Sequence, residues 1–193
     1  MLPTVRWPGS LPRSTAAGWL YSSLRRARMS GMELAIRADD PRAEDVRELL
    51  AIHLQFSRGV TPVEYSFALD VDQLLGPSVS FFSARRAGQL VGVAALKRLD
   101  RIHGELKSMH TREAERGRGV GRALVEHVLE FARGAGYRRV SLESGATEDF
   151  VAARTLYASI GFKPCAAFGD YQPSSYNTFM TMSLAPASAD TLG

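Results

Sequence analysis

The chain has few of the residues on which several classes of protein depend. It contains one cysteine, Cys165, among 193 residues, which excludes an intrachain disulfide and a zinc site built from several thiolates. No stretch of the sequence approaches the roughly 18 unbroken apolar residues of a membrane-spanning helix. This scarcity of cysteine fits a reducing compartment. We therefore expect a cytoplasmic protein that has no membrane partner.

Acidic residues are absent from the first 32 positions, although five arginines lie there. Since the whole chain carries a formal charge of +4, the remainder carries −1, and the basic character belongs to this segment alone. That location argues against nucleic acid as a partner. Residues 1–32 are interpreted as a basic, disordered N-terminal extension, as an Arg-rich targeting segment, or as sequence upstream of a true start at Met29 or Met32.

The rest of the chain predicts a single mixed α/β domain over residues 33–185, followed by a short C-terminal tail at 186–193. Hydrophobic residues make up 45% of the chain and charged residues 23%, the mix of an ordinary globular protein. Hydrophobic periodicity predicts the element order β-α-α-β-β-β-α-β-α-β-β. The second predicted helix spans residues 63–75, the third and fourth strands pair antiparallel, and residues 162–168 form a late strand.

A glycine-rich loop, RGRGVG at residues 116–121, lies directly between a predicted strand and an amphipathic helix. Glycine lets successive backbone N–H groups converge on an anion, and the N-terminus of the following helix adds partial positive charge. Arg116, Arg118 and Arg122 add full charges. The loop has neither the spacing of a dinucleotide fingerprint nor the G-K-S/T of a Walker loop. It predicts a phosphate site of another kind, the alternative being a plain turn.

The same loop resembles the Q/R-x-x-G-x-G/A signature of the GCN5-related N-acetyltransferases, the GNAT family. The patterns ARTLY at residues 153–157 and IGF at 160–162 extend the resemblance over about residues 33–185. The resemblance implies a mixed, mostly antiparallel central sheet with helices on both faces. It also implies an acetyl-CoA-dependent N-acetyltransferase that moves the acetyl group to a primary amine of a small molecule by direct attack. It implies no metal, and it is compatible with a homodimer.

Two other functions stay open at this point. One is acetylation of a lysine or an N-terminus in a protein or peptide, which needs an open groove. The other is a non-catalytic module that binds an acyl-CoA without turnover. Turnover of acetyl-CoA with a panel of amines separates catalysis from binding alone.

The resemblance assigns two groups of backbone to acetyl-CoA: the end of the strand before the loop and the loop with the start of its helix. One N–H of the strand end polarises the acetyl carbonyl in the family. One departure concerns Phe150, which stands where members of the family often have an asparagine that contacts the pantetheine arm. The assigned residues are Met109, His110, Thr111, Arg116, Gly117, Arg118, Gly119, Val120, Gly121 and Arg122.

Tyr157 matches the general acid of the family, which protonates the sulfur of coenzyme A. Glu105 is predicted as the base, acting through a water, because its offset from Arg116 matches the catalytic glutamate of the histone-acetylating branch. His110 and Glu143 are the rival bases. Strand alternation predicts that Glu105 shares a face with Lys107 and Met109.

The acceptor is the least determined part of the prediction. Residues 53–75 occupy the variable region of the family, where Glu64 and Tyr65, with Glu143 from a later strand, are the candidate substrate-binding residues. In the same region, Glu64, Asp70 and Asp72 are interpreted either as residues that attract a cationic amine or as the ordinary charges of a solvated helix. The remaining histidines, namely His53, His103 and His127, are interpreted as half-buried residues without a function, and no group of residues has the spacing of a metal site.

Overall fold

Seven β-strands and four α-helices form within residues 33–60, 67 and 69–184, the part of the chain that the computed structural model describes. They follow one another in the predicted order. The predicted N-terminal extension and C-terminal tail lie outside these residues. The strands are β1 (Leu34–Ala38), β2 (Val79–Arg86), β3 (Gln89–Arg98), β4 (His103–Thr111), β5 (Arg139–Gly145), β6 (Lys163–Pro164) and β7 (Asn177–Ser183), and the helices are α1 (Glu44–Val60), α2 (Val71–Leu74), α3 (Val120–Gly134) and α4 (Val151–Ile160).

The strands form one sheet in the order β1-β2-β3-β4-β5-β7-β6. Every neighbouring pair is antiparallel except β4 and β5, which run parallel. This arrangement confirms the predicted mixed, mostly antiparallel sheet. It also confirms that β3 and β4 pair antiparallel.

Helices cover both faces of the sheet, as predicted. On one face, α1 buries Val46, Leu49 and Leu50 against residues of β2 and β3. These positions recur at helical spacing, so the helix presents one apolar side to the strands. On the other face, α3 buries a stripe that includes Leu124 and Val128, with α4 beside it.

The two parallel strands are hydrogen-bonded over a short stretch only. Their register joins His103–Glu105 of β4 to residues 139–141 of β5. Beyond that point β4 continues to Thr111 and β5 to Gly145 without pairing to each other. The sheet is therefore open at this end, between its two central strands.

A bulge interrupts β4 next to this opening. The register passes from Ala95↔Lys107 to Val93↔His110, and Ser108 adopts a φ of 52°. An extra residue of this kind reverses the alternation of the side chains that follow. Met109 accordingly packs with the core beneath α3, whereas the ring of His110 lies against α1. The prediction that Met109 shares a face with Glu105 is therefore wrong.

Two predicted elements are shorter in the structure. Strand β6 is limited to Lys163–Pro164 rather than residues 162–168, because proline has no N–H to give to a ladder. One further backbone bond runs from the Cys165 N–H to the Phe179 carbonyl (3.0 Å). Helix α2 occupies one turn, since the Asp70 carboxylate and the Gln73 side chain form a capping box at its start.

Candidate active site

The opening between β4 and β5 is a cleft of about 700 Å³. The free edge of β4 and the end of β5 form its walls, and the glycine-rich loop lies at one end. Helices α1 and α4 flank it. The residues that line it include His53, Phe56, Ser57, Phe67, Lys107, Met109, His110, Thr111, Arg116, Gly117, Gly119, Val120, Gly121, Arg122, Glu143, Ser144, Gly145, Phe150 and Tyr157.

The glycine-rich loop directs backbone N–H groups towards one end of this cleft. Gly117 and Gly119 have φ values of 73° and 80°. Residues with a side chain rarely adopt this backbone conformation, whereas glycine adopts it readily. Gly119 is the N-cap of α3, and the first helical bond runs from the Ala123 N–H to the Gly119 carbonyl (3.0 Å). The amides of the first helical turn therefore have no helical partner. Such a helix start binds an anion, and phosphate fits it well.

The three arginines of this region lie in different surroundings. Arg116 and Arg122 line the cleft, and the Arg122 guanidinium also donates to the Ser159 hydroxyl (2.7 Å). The side chain of Arg118 is 63% exposed and donates to Glu115 (3.2 Å). Arg118 does not line the cleft, so its predicted contact with acetyl-CoA stays a prediction.

The unpaired edge of β4 supplies further backbone groups. Met109, His110 and Thr111 line the cleft where β4 has left β5. An unpaired strand edge presents N–H and C=O groups at regular intervals. An extended arm with amide groups can pair with such an edge, as the resemblance predicts for pantetheine.

Tyr157 lies on α4. Its side chain packs in the hydrophobic core and also lines the cleft. Burial raises the pKa of its phenol, and the nearby carboxyl of Glu143 raises that pKa further. The phenol therefore keeps its proton at neutral pH and can donate it. This is the property that the predicted general acid needs.

Glu143 lies at the cleft near the end of β5, where β4 no longer covers the strand. Burial raises its pKa to about 7; the Lys107 ammonium opposes this shift and the Glu105 carboxylate adds to it. A carboxyl group with a pKa near the working pH is suited to accept and release a proton. Glu143 thus has the electrostatic character of a general base.

Glu105 has a different environment. Its side chain lies 1% exposed on β4, where it pairs with the Lys107 ammonium (3.3 Å) and accepts a hydrogen bond from the Tyr171 hydroxyl. The Lys107 ammonium also donates to the Tyr171 oxygen (2.6 Å). Lys107 lines the cleft, whereas Glu105 does not. The role of Glu105 as a base stays a prediction.

Two histidines meet at the cleft, one of them unexpected. The rings of His53 on α1 and His110 on β4 are 5.4 Å apart, edge to face. Burial, with smaller contributions from neighbouring groups, lowers the pKa of each to about 4. Both are therefore neutral at pH 7. The sequence analysis predicts no function for His53, although this residue continues the apolar stripe of Leu49 and Leu50 towards the sheet.

Phe150 occupies the place where the family pattern has an asparagine. Its ring lies over Gly145 at the end of β5, so closely that a Cβ on Gly145 would overlap it. The Phe56 ring of α1 contacts it edge to face at 5.3 Å. Phe150 thus contributes an apolar wall to the cleft, and Ser144 beside it is the nearby polar side chain that lines the cleft.

The acidic residues expected to attract an amine are not at the cleft within the described region. Asp70 caps α2 and Asp72 is exposed on the same helix. Glu64 and Tyr65 lie outside the described residues. Phe67 does line the cleft, with its ring 4.8 Å from that of Tyr171. Of the predicted substrate-binding residues, Glu143 is the one that the structure places here.

In residues 33–60, 67 and 69–184, no group of three or more His, Cys, Asp or Glu side chains is arranged to hold a metal ion. Over the same ranges, no helix has the length and apolar character needed to cross a membrane.

Comparison with other sequences identifies relatives over most of the described region. The profile of the acetyltransferase (GNAT) family matches residues 43–162. The N-acetyltransferase YsnE of Bacillus subtilis is 40% identical over 149 residues, which are 77% of this chain and 99% of that protein. YedL, an N-acetyltransferase of Escherichia coli, is 39% identical over 149 residues, which are 77% of this chain and 94% of YedL.

More distant comparisons agree on the fold. The N-alpha-acetyltransferase RimI of Mycobacterium tuberculosis is 38% identical over 94 residues, which are 47% of this chain and 56% of RimI. A GNAT family acetyltransferase from Elizabethkingia anophelis, solved with acetyl-CoA bound, superposes with a TM-score of 0.59 at 18% identity. That comparison covers 78% of this chain and 98% of the solved one.

Proposed function

The chain belongs to the acetyltransferase (GNAT) family and is an N-acetyltransferase, and from this premise we propose that it moves the acetyl group of acetyl-CoA to a primary amine of a small molecule. The observation that carries the proposal is the pairing of Glu143 with Tyr157 at one cleft. One of these groups is suited to take a proton and the other to give one.

The donor fits the cleft through its phosphates and its arm. The free amides at the start of α3, with Arg116 and Arg122 nearby, would hold the pyrophosphate. The unpaired edge of β4 at Met109–Thr111 would pair with the amides of pantetheine. An N–H of this edge would also polarise the thioester carbonyl. Phe150 would pack against the arm where the family pattern supplies an asparagine.

The transfer removes two protons from the acceptor ammonium and delivers one proton to the departing sulfur. Glu143 would take a proton from the acceptor ammonium, and the free amine would attack the acetyl carbonyl. A carbon–nitrogen bond forms and the carbon–sulfur bond of the thioester breaks. Tyr157 would protonate the departing sulfur, its phenolate would take the second proton of the acceptor nitrogen, and Glu143 would release the first proton to solvent. In sum, an ammonium and acetyl-CoA become an acetamide, coenzyme A and one released proton.

Glu143 is favoured over Glu105 as the base because of what each carboxyl contacts. Glu105 is already paired with Lys107 and Tyr171 behind the cleft wall. An acceptor amine can reach Glu143 directly, whereas it would need a relay to reach Glu105. We propose that Glu105 holds Lys107 in place, and separate substitutions of the two carboxyls test this division.

Acetylation of a peptide or protein amine is the second candidate. The similarity to RimI over 94 residues supports it, because that relative is named as an N-alpha-acetyltransferase. The depth of the site supports a small molecule instead, since Lys107, Tyr157 and Glu105 are all at least 90% buried. A small amine can enter entirely, whereas a peptide would have to present a single extended end.

We also propose that the catalytic domain spans residues 33–185, with the basic extension and the tail dispensable for turnover. The family match at 43–162 and a sheet that runs from Leu34 to Ser183 support this boundary. Removal of residues 1–31, so that the chain begins at Met32, should leave the rate of acetyl transfer within twofold. A larger loss would assign the extension a part in the reaction.

The test of the main proposal is amine-dependent release of free coenzyme A from the full chain. The panel should hold small primary amines in one arm and peptides with free N-termini or lysines in the other. Faster thiol release with small amines supports the proposal. Release with peptides alone would favour the second candidate, and release without any amine would indicate thioester hydrolysis instead.

A further inference from the structure

The position of Lys107 in the cleft indicates what kind of amine is accepted. Resting on the proposed function, we propose that the acceptor carries a carboxylate close to its amine, as an amino acid does, and that the Lys107 ammonium binds this carboxylate while the amine faces Glu143. Lys107 is then a binding residue for the acceptor and has no part in proton transfer.

Lys107 is a cation that is buried and still reaches the cleft. Its side chain is 8% exposed, and it lines the opening between β4 and β5. Among the described residues its ammonium contacts two oxygens, the Tyr171 hydroxyl at 2.6 Å and Glu105 at 3.3 Å. An ammonium has three protons to donate. One donor is therefore left for a ligand.

The counter-ion of Lys107 lies on the side away from the ligand. Glu105 is 1% exposed and does not line the cleft. A buried lysine needs a paired anion to stay charged, and Glu105 supplies it together with the Tyr171 hydroxyl. The arrangement keeps a positive charge at the cleft surface and the compensating negative charge behind it.

His53 adds a second polar group beside Lys107. Its Nδ1 atom is buried and has no hydrogen-bond partner in the part of the chain that the structure describes, and its ring lines the cleft. The charge of Lys107 is near enough to lower the pKa of this imidazole. A neutral imidazole can donate one hydrogen bond. A carboxylate, which accepts several, suits a site made of an ammonium and an imidazole.

The described acidic residues do not favour a second cation on the acceptor. Besides Glu143, two acidic residues line the cleft, but Glu115 is already paired with Arg86 and Arg118, and Asp149 is exposed beside Phe150, where the pantetheine arm is proposed to lie. Asp70 caps α2 and Asp72 is exposed, so neither reaches the cleft. Between α1 and β2, the one described residue that lines the cleft is Phe67, an apolar wall. A polyamine would place its second ammonium near Lys107, where like charges repel. An amino acid instead places opposite charges against Lys107 and Glu143.

The direct test uses matched sets of amines that differ only in the carboxylate. Phenylalanine, phenylalaninamide and 2-phenylethylamine form one set, and leucine, leucinamide and 3-methylbutylamine form another, with spermidine as a polyamine. Free thiol release from acetyl-CoA by the full chain gives kcat/KM for each. We expect at least a tenfold higher kcat/KM for the acid than for the amide and the amine of a set. Equal or better turnover of the amide, the amine or spermidine would overturn the inference.

The second arm of the test replaces Lys107 with an uncharged residue. Lys107→Met should remove the preference for the acid, chiefly through a rise in its KM, while the KM for acetyl-CoA stays within twofold. Lys163→Met on the exposed strand β6 is the matched control. Because Lys107→Met leaves Glu105 without its partner, the double variant Lys107→Met/Glu105→Gln is measured beside it. An equal loss with acids and with uncharged amines would overturn the inference.

Two further outcomes separate this inference from the proposed function. A carboxylate could also reach Lys107 on the acyl group of the donor, so succinyl-CoA replaces acetyl-CoA in a parallel series. A preference for succinyl-CoA that disappears in Lys107→Met would overturn the acceptor assignment. If acetyl-CoA raises the Tm but no acid of the panel is acetylated, the inference fails and the donor assignment remains. If acetyl-CoA does not bind, the proposed function itself fails.

Discussion

The pH dependence of turnover should report the ionisation of Glu143. Burial raises the pKa of this carboxyl to about 7, so the base form grows as the pH rises through neutrality. In the free enzyme, about a tenth of the molecules hold the base form at pH 6 and about nine tenths at pH 8. Because kcat/KM reports the ionisation of the free enzyme, we expect kcat/KM for the amine to rise about tenfold between these values and then level off.

Two isosteric substitutions separate the carboxyls. Glu143→Gln removes the base and should lower kcat by about 10²–10⁴-fold, the usual contribution of a positioned base. It should also remove the inflection near pH 7. Glu105→Gln removes a negative charge that raises the pKa of Glu143. The inflection in the pH profile of the Glu105→Gln variant should therefore move to lower pH, and this variant should still turn over at pH 8.

The assay is the release of free thiol at saturating acetyl-CoA and varied amine concentration, recorded from pH 5.5 to pH 9 for the three proteins. Acetyl-CoA-induced stabilisation in each variant serves as the control for correct folding. An unchanged profile in Glu143→Gln, together with a loss of 100-fold or more in Glu105→Gln, would refute the reasoning. Glu105 would then be the base, as its place on the strand predicted.

Three further predictions concern the acid, the loop and the cleft wall. Tyr157→Phe should lower kcat tenfold or more while acetyl-CoA binding changes little; an unaltered kcat would remove the role. Gly119→Ala and Gly136→Ala both place a Cβ at positive φ and should each cost about 1–2 kcal/mol of stability. Calorimetry should show weaker acetyl-CoA binding for Gly119→Ala alone. Gly145→Ala should destabilise the protein by about 1–3 kcal/mol through overlap with the Phe150 ring, whereas the same substitution should cost little stability in a Phe150→Ala background; additive losses in urea unfolding would contradict the overlap.

Local patterns predicted most of the fold. The apolar stripe of α3, with Leu124 and Val128, depends on neighbours three and four residues apart, so the sequence displays it directly. The glycine loop is equally local, because Gly117 and Gly119 serve a backbone conformation that few other residues adopt. The predicted strand at residues 162–168 is longer than the observed β6, because the hydrophobic pattern of the sequence continues past the point where pairing with β7 stops.

The acceptor side of the site depends on contacts that are distant in sequence. The sequence around Lys107 is typical of a solvent-exposed strand residue. Its burial depends on contact with Tyr171, which lies 64 residues later in the sequence. The bulge at Ser108 has no sequence signature, since serine is not a residue that favours positive φ. Without it, alternation misplaces Met109. His53 did carry a signal, because it continues the buried stripe of α1.

The central claim is that the cleft between β4 and β5 holds acetyl-CoA with its pyrophosphate at the start of α3. A thermal-unfolding scan of the full chain with and without acetyl-CoA tests it most directly. At about 100 times its Kd, the ligand should add about 2.7 kcal/mol of stability, a clear rise in Tm. No rise at saturating acetyl-CoA would contradict the claim.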